Sequence, residues 1–214
     1  PQVRFLPKGV GVTSLTPKGY DEAVGRILPA AHQLAAQGAD AVMLIGTSLS
    51  FYKGKAFNDA LAARITAESG LPASTMSTAI VAALRTVGAS RISVCTAYGD
   101  VVNDCLRRFL DECGLEVLSL KGMGIERFGD AGRVGEAEII DLAREAYAAA
   151  PSSEALLISC GGLRTLTITS PLEAATGVPV ISSMPAGFWE GMRLLGRARQ
   201  TSGFGRLFEL EDAA

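Results

Sequence analysis

Leu156-Leu157-Ile158-Ser159-Cys160-Gly161-Gly162-Leu163 is the stretch on which the reading of this chain turns. An apolar run of strand type ends in a cysteine and two glycines. A buried strand of this kind carries a thiol at its carboxyl end, beside backbone N–H groups that no side chain screens. In open α/β sheets, ligands bind at that end of the strands. Two readings follow. One is a nucleophilic or acid/base thiol next to an anion hole. The other is a core cysteine followed by a glycine turn.

A second stretch bears on the choice. Asp40-Ala41-Val42-Met43-Leu44-Ile45-Gly46-Thr47-Ser48 has the form of Glu154-Ala155-Leu156-Leu157-Ile158-Ser159-Cys160-Gly161-Gly162. Each opens on an acidic residue and alanine, runs apolar, and closes in a small turn. Downstream, Gly70-Leu71-Pro72 is echoed by Gly177-Val178-Pro179. A short strand and a polar turn follow each: Ser74-Thr75-Met76-Ser77-Thr78-Ala79, and Ser182-Ser183-Met184-Pro185-Ala186. The chain therefore reads as two related α/β halves. In this alignment Gly46 stands where Cys160 stands in the other half. A two-fold arrangement places the two turns face to face across a cleft, with a thiol on one side only.

Bulk properties narrow the function classes. The 214 residues suit one compact unit or two small lobes, and a hydrophobic content of 48% supports a sizeable core. A net charge of −2, from 20 basic and 22 acidic residues, gives no footing for nucleic acid or an anionic membrane. No apolar run reaches the ~18 residues of a membrane span, and no signal peptide is visible. Cys95, Cys105, Cys113 and Cys160 show no Cys-x-x-Cys spacing and no disulfide framework, which points to a reducing cytoplasm. The single histidine, His32, lies in a helical stretch, so a Ser–His–Asp triad and a His-based metal site find no support. Neither GxGxxG nor a P-loop occurs, and a nucleotide cofactor has no motif behind it.

Along the chain, Thr16-Pro17 caps a helix over 18–37 that ends at Gly38. Strand 42–45, helix 57–69, strand 73–76 and helix 78–87 follow. Then come strand 91–98, helix 101–113, strand 116–120, a glycine-rich loop over 121–133, and helix 136–149. After Cys160 the pattern predicts a short helix 170–176, strand 178–182, helix 187–195 and a tail whose residues 206–210 pack back on the body. The sequence begins at Pro1 with no strand before the first helix, so the natural opening strand is expected to be missing. Strands alternating with helices argue a parallel sheet, and unalternating apolar strands agree. The expected fold is two pseudo-symmetric Rossmann-like α/β lobes, each with a four-stranded, mostly parallel sheet and the site between them. The first lobe takes residues 1–76 and 187–214; the second takes 77–186 and carries Cys160.

Cys160 leads the candidates. As an acid it can hand a proton to carbon; as a thiolate it can take one or attack a carbonyl. Cys95 reads as mid-strand core, and Cys105 and Cys113 as small hydrophobes on a helix. Gly46-Thr47-Ser48 offers hydroxyls and N–H groups at a strand end, as a carboxylate cradle or a helix cap. The Thr75–Thr78 cluster reads as capping. Tyr98, at a strand terminus, can donate to an anion or sit amphipathically at the rim. Phe188-Trp189 reads as packing.

These blocks together resemble the aspartate/glutamate racemase superfamily, and within it the arylmalonate decarboxylases. The matching stretches are Ser14-Leu15-Thr16-Pro17-Lys18-Gly19-Tyr20-Asp21, Gly46-Thr47-Ser48-Leu49-Ser50-Phe51-Tyr52, Thr75-Met76-Ser77-Thr78-Ala79, Ala97-Tyr98, Ser159-Cys160-Gly161-Gly162-Leu163, Pro185-Ala186-Gly187-Phe188-Trp189 and Gly205-Arg206-Leu207-Phe208. In the superfamily, racemases and isomerases carry two facing cysteines; the decarboxylases keep the second and have glycine in place of the first. Gly46 with Cys160 is the decarboxylase pattern.

The resemblance implies cofactor-independent loss of CO2 from an aryl- or alkenylmalonate, with no metal, biotin or other cofactor. One carboxylate binds in a nest of Thr47, Ser48, Tyr98 and the backbone of Cys160, Gly161 and Gly162. The other lies in an apolar pocket that includes Val12, Leu15, Tyr20, Gly46, Leu49, Ile125 and Phe128. Cys160 protonates the enediolate on one face. Arg164 stands where an apolar residue is expected, a departure that either alters substrate preference or simply faces solvent. The implied partner is a small dicarboxylate; the absence of an apolar surface stripe makes a monomer the default, and the cysteine usage places it in the cytoplasm. The rivals are a racemase or isomerase, which needs a second base opposite Cys160, and a non-catalytic carboxylate-binding protein.

Overall fold

The structure, a computed structural model, describes residues 3–210. Residues 1–2 and 211–214 of the expected first lobe lie outside the described residues. Residues 3–13 contain no strand, and Ser14 then makes an isolated antiparallel bridge to Arg127. The helix expected over 18–37 is two helices, α1 (Pro17–Val24) and α2 (Ile27–Ala36). Thr16 caps α1, accepting the Gly19 N–H on its side chain. The break falls at Gly25-Arg26 because Pro29 has no N–H for the Gly25 carbonyl and its ring would clash with it. Placed in the first turn of a new helix, Pro29 costs nothing.

Strand β1 (Val42–Leu44) leads into a five-residue helix, α3 (Thr47–Phe51), whose first residues the sequence pattern reads as a carboxylate cradle or a helix cap. Helix α4 (Lys55–Ser69) ends at Gly70, whose φ of +69° closes it in the left-handed conformation that glycine adopts freely. Strand β2 (Ala73–Thr75) feeds α5 (Met76–Thr86). The Thr75–Thr78 cluster is a cap: Thr75 Oγ1 accepts the Thr78 N–H at 3.0 Å and donates to Asn58 Oδ1 at 2.6 Å. Asn58 is buried, so Thr75→Ala removes a cap and strands a polar atom. The expected loss is about 2 kcal/mol, read as a fall in thermal midpoint of roughly 4–8 °C.

The second half contains β3 (Arg91–Thr96), α6 (Asp100–Glu112), β4 (Glu116–Gly122), α7 (Glu136–Ala148), β5 (Ala155–Ser159), α8 (Thr169–Thr176), β6 (Val180–Ser182) and α9 (Ser183–Leu194). These strands form a parallel sheet of order β4-β3-β5-β6, while β1 and β2 form a separate parallel pair. The expectation of four strands in each lobe therefore holds for one sheet, and the other has two. Leu156, Leu157 and Ile158 are fully buried, as suits a strand covered on both faces.

The repeat is real in three dimensions. Val42 pairs with Ala73 and Leu44 with Thr75; Leu156 pairs with Val180 and Ile158 with Ser182. The Val42 N–H donates to the Pro72 carbonyl at 2.9 Å, and the Leu156 N–H to the Pro179 carbonyl at the same distance. The register of the strand pairs is thus the same in both halves. Helix α9 packs on α5 and touches β1, β2 and β6, which ties the two sheets together.

Candidate active site

Cys160 follows β5 directly and is 7% exposed. Burial pushes its thiol up, opposed by the Gly162 N–H, the Tyr98 hydroxyl and the Leu163 N–H. The Gly162 N–H lies 3.4 Å from Sγ. Cys160 therefore carries its proton at neutral pH yet has donors waiting for a thiolate. Cys95 differs: burial alone pushes its thiol up to about 12, as a core residue should behave. One expectation is corrected. The Cys160 N–H is engaged by Ser183 Oγ at 3.1 Å and is not free to join an anion cradle.

The two turns converge. A Cβ on Gly161 would sit 3.2 Å from Met76 Sδ, and Met76 Sδ accepts the Thr47 hydroxyl at 2.8 Å. Gly46 caps α3 with φ −164°, an extended conformation open to any residue. A Cβ there would meet only Leu49, at 3.4 Å and beyond. Thr47 and Ser48, both buried, occupy the first turn of α3, where backbone N–H groups have no intrahelical acceptor.

Tyr98 is buried and its phenol is pushed well up by desolvation and by the neighbouring Cys160 and Tyr20, opposed by Ser159 and Ser48. Tyr20 is likewise pushed up by burial, with Ser48 pulling the other way. Its Oη finds no well-formed hydrogen bond among the described residues. A buried hydroxyl with no well-formed hydrogen bond is a donor able to take an acceptor. Tyr20, expected as an apolar wall, thus also presents a polar atom.

The Tyr98 backbone is held by a clasp that the sequence reading missed. Thr96 Oγ1 accepts the Tyr98 N–H at 3.1 Å and donates to Asn103 Oδ1 at 2.6 Å, while Asn103 Nδ2 donates to the Tyr98 carbonyl at 3.1 Å. This clasp ends β3 at Thr96, two residues before the expected end. Asn103, in the first turn of an amphipathic helix, gave one faint signal: a buried-face amide.

Val12, Leu15, Ile125 and Phe128 are brought together by backbone pairing. The Leu15 N–H donates to the Glu126 carbonyl at 2.6 Å and the Phe128 N–H to the Thr13 carbonyl at 3.3 Å. Leu15 and Leu49 are buried, Val12 and Ile125 half-buried, and Phe128 is 58% exposed. Arg164 is exposed on the loop after the Cys-Gly-Gly turn. Trp189 is buried under the Arg199 guanidinium, at 4.2 Å from the ring centre, while Phe188 meets Phe5 edge-on at 5.3 Å. No helix among the described residues is long and apolar enough to cross a membrane.

The chain has counterparts of known family. A family model described as arylmalonate decarboxylase matches residues 1–208. The chain is 45% identical over 210 residues to an arylmalonate decarboxylase of Bordetella bronchiseptica, covering 98% of this chain and 88% of that one. A crystal structure of a glycine-to-cysteine, cysteine-to-serine double variant of arylmalonate decarboxylase, in liganded form, matches with a TM-score of 0.92 at 44% identity, over 94% of this chain and 86% of that one. Maleate isomerase of Pseudomonas putida S16 with maleate matches with a TM-score of 0.86 at 19% identity, over 92% of this chain and 80% of that one. At that identity the likeness shows the fold alone. On the matched length, the identity and the superposed fold together, this chain belongs to the arylmalonate decarboxylase family.

Proposed function

We propose that this chain is a carboxy-lyase that releases CO2 from arylmalonates, with Cys160 as the one proton donor to carbon. The carrying observation is a buried, protonated thiol at the end of β5 whose repeat-mate is Gly46. Family membership supports the activity. One carboxylate is held by Thr47, Ser48, Tyr98 and the backbone of Gly161 and Gly162, the Cys160 N–H being taken by Ser183. The other faces the side formed by Leu15, Leu49 and their neighbours, where poor solvation favours departure of neutral CO2. The C–C bond electrons pass to the remaining carboxylate, giving an enediolate. Tyr98 stays protonated at neutral pH and can donate to it. Each such donor is worth about 3 kcal/mol to a developing oxyanion. The Cys160 S–H then gives its proton to carbon, and the thiolate, held by the Gly162 N–H, takes a proton from water.

A racemase needs a second acid/base on the opposite face, and Gly46 supplies none. A binding protein without turnover has no use for a thiol kept protonated at the strand end. We further place the protein in the cytoplasm as a monomer with a small-molecule partner and no nucleic acid or membrane. The reading of two lobes, 1–76 with 187–214 and 77–186, is supported by the two separate sheets.

The experiment is incubation with methylphenylmalonate in D2O, followed by NMR and chiral analysis. CO2 release with one deuterium on one face supports the reading. Absence of CO2 release, with exchange at the α-carbon of an amino or hydroxy acid, overturns it. The pH dependence follows from the thiol. Because its pKa is raised above the ordinary 9.0, the active protonated form persists through neutral pH and is lost only as pH climbs through the raised value. The fall in rate is therefore expected to be centred above pH 9.0; a fall centred below 9.0 would contradict this.

A further inference from the structure

The two halves share an arrangement beyond their strands. Thr75 pairs with Leu44 and Ser182 with Ile158, so the residues that follow, Met76 and Ser183, are repeat-mates. Each opens a helix, and each presents an acceptor to the turn after the partner strand. Met76 Sδ accepts the Thr47 hydroxyl at 2.8 Å; Ser183 Oγ accepts the Cys160 N–H at 3.1 Å. Both are sealed from solvent, at 0% and 1% exposure. Met76 also abuts the Cys160 turn and helix α9: a Cβ on Gly161 would lie 3.2 Å from its Sδ, and one on Gly187 3.5 Å from its Cε.

The choice of atoms matters. A thioether is a weak acceptor, and a carboxylate is a strong one. The Thr47 hydroxyl is thereby satisfied and aimed, and released at little cost when a carboxylate arrives. An apolar residue at 76 would leave a buried hydroxyl unpaired and free to turn. A strong acceptor there would compete with the substrate. Ser183 does the same service for backbone rather than side chain: it fixes the Cys160 peptide, and with it the direction of the thiol.

We propose that Met76 and Ser183 are paired positioning residues, the first aiming the Thr47 hydroxyl and the second the Cys160 thiol; the roles they serve rest on the decarboxylase reading. Met76→Leu keeps volume and apolarity, which favours retention of the fold. It is compared with Thr47→Val and the double variant, on phenylmalonate turnover and on phenylacetate binding by calorimetry. Met76→Leu lowers kcat about tenfold when Thr47 is present and less than about twofold when it is valine, since a residue acting through another loses its effect with it. Losses that multiply across the double variant overturn the Met76 assignment. Ser183→Ala lowers both kcat and the enantiomeric excess of the methylphenylmalonate product; unchanged stereochemistry in a folded variant overturns the Ser183 assignment. A wild type that binds phenylacetate with the same Met76–Thr47 coupling, but releases no CO2, overturns the decarboxylase reading and keeps the Met76 assignment. A wild type that neither turns over nor binds overturns both.

Discussion

Cys160→Ala lowers the formation of chiral product by about a thousandfold or more, the scale on which a positioned proton donor acts. Thr47 and Ser48 of the carboxylate nest come from α3 and keep their places in this variant, while the Tyr98 hydroxyl loses only its sulfur neighbour. Bond cleavage without the thiol leaves an enediolate that only water can protonate. The residual product is therefore expected to be racemic, which separates loss of the acid from loss of binding. Cys160 packs against few polar partners, its side chain meeting the Gly162 N–H and Tyr98. Removing one sulfur should cost about 1 kcal/mol in stability, so circular dichroism and the thermal midpoint should change little. A variant that keeps both its rate and its enantiomeric excess would remove Cys160 from the mechanism.

Gly46→Cys is expected to give the protein a new reaction: exchange and racemisation of the monoacid product. The strand registers put position 46 in the place that Cys160 holds in the other half. The backbone accepts a side chain there, at φ −164° with Leu49 Cβ 3.4 Å from the added Cβ. With thiols on both faces, one can take the α-proton while the other returns one, which a single thiol does only on its own side. In D2O, 2-phenylpropionate of one configuration should gain deuterium and lose optical purity over hours, while with the wild type it keeps its configuration. An inert Gly46→Cys protein that folds would show that the two turns do not face each other across the substrate.

Much of this was legible in the chain because the signals were local. The strand that ends in Cys160-Gly161-Gly162, the glycine stops at 70 and 177, and the Thr16 and Thr75 caps are properties of adjacent residues. The repeat was visible because two stretches kept the same order of acidic, apolar and turn residues, and the shared register bears it out. The asymmetry of Gly46 and Cys160 came with it. The long helix that proved to be two was misread for a local reason as well: Pro29 was counted as an interior residue instead of a start signal.

What the sequence could not decide is which groups are engaged and which are left over. Nothing adjacent to Cys160 says that its N–H is taken by Ser183, 23 residues on. Nothing near Tyr98 announces that Asn103 and Thr96 clasp its peptide. The Thr47 hydroxyl rests on a sulfur 29 positions away, and the Tyr20 hydroxyl is buried with no well-formed partner. The chain by itself determined the elements, the repeat and the single thiol, because secondary structure and pattern depend on neighbours in sequence. Only the tertiary structure decided where each buried donor points, because a hydrogen bond between distant residues exists only once packing has brought them within about 3 Å and excluded the water that would otherwise satisfy them.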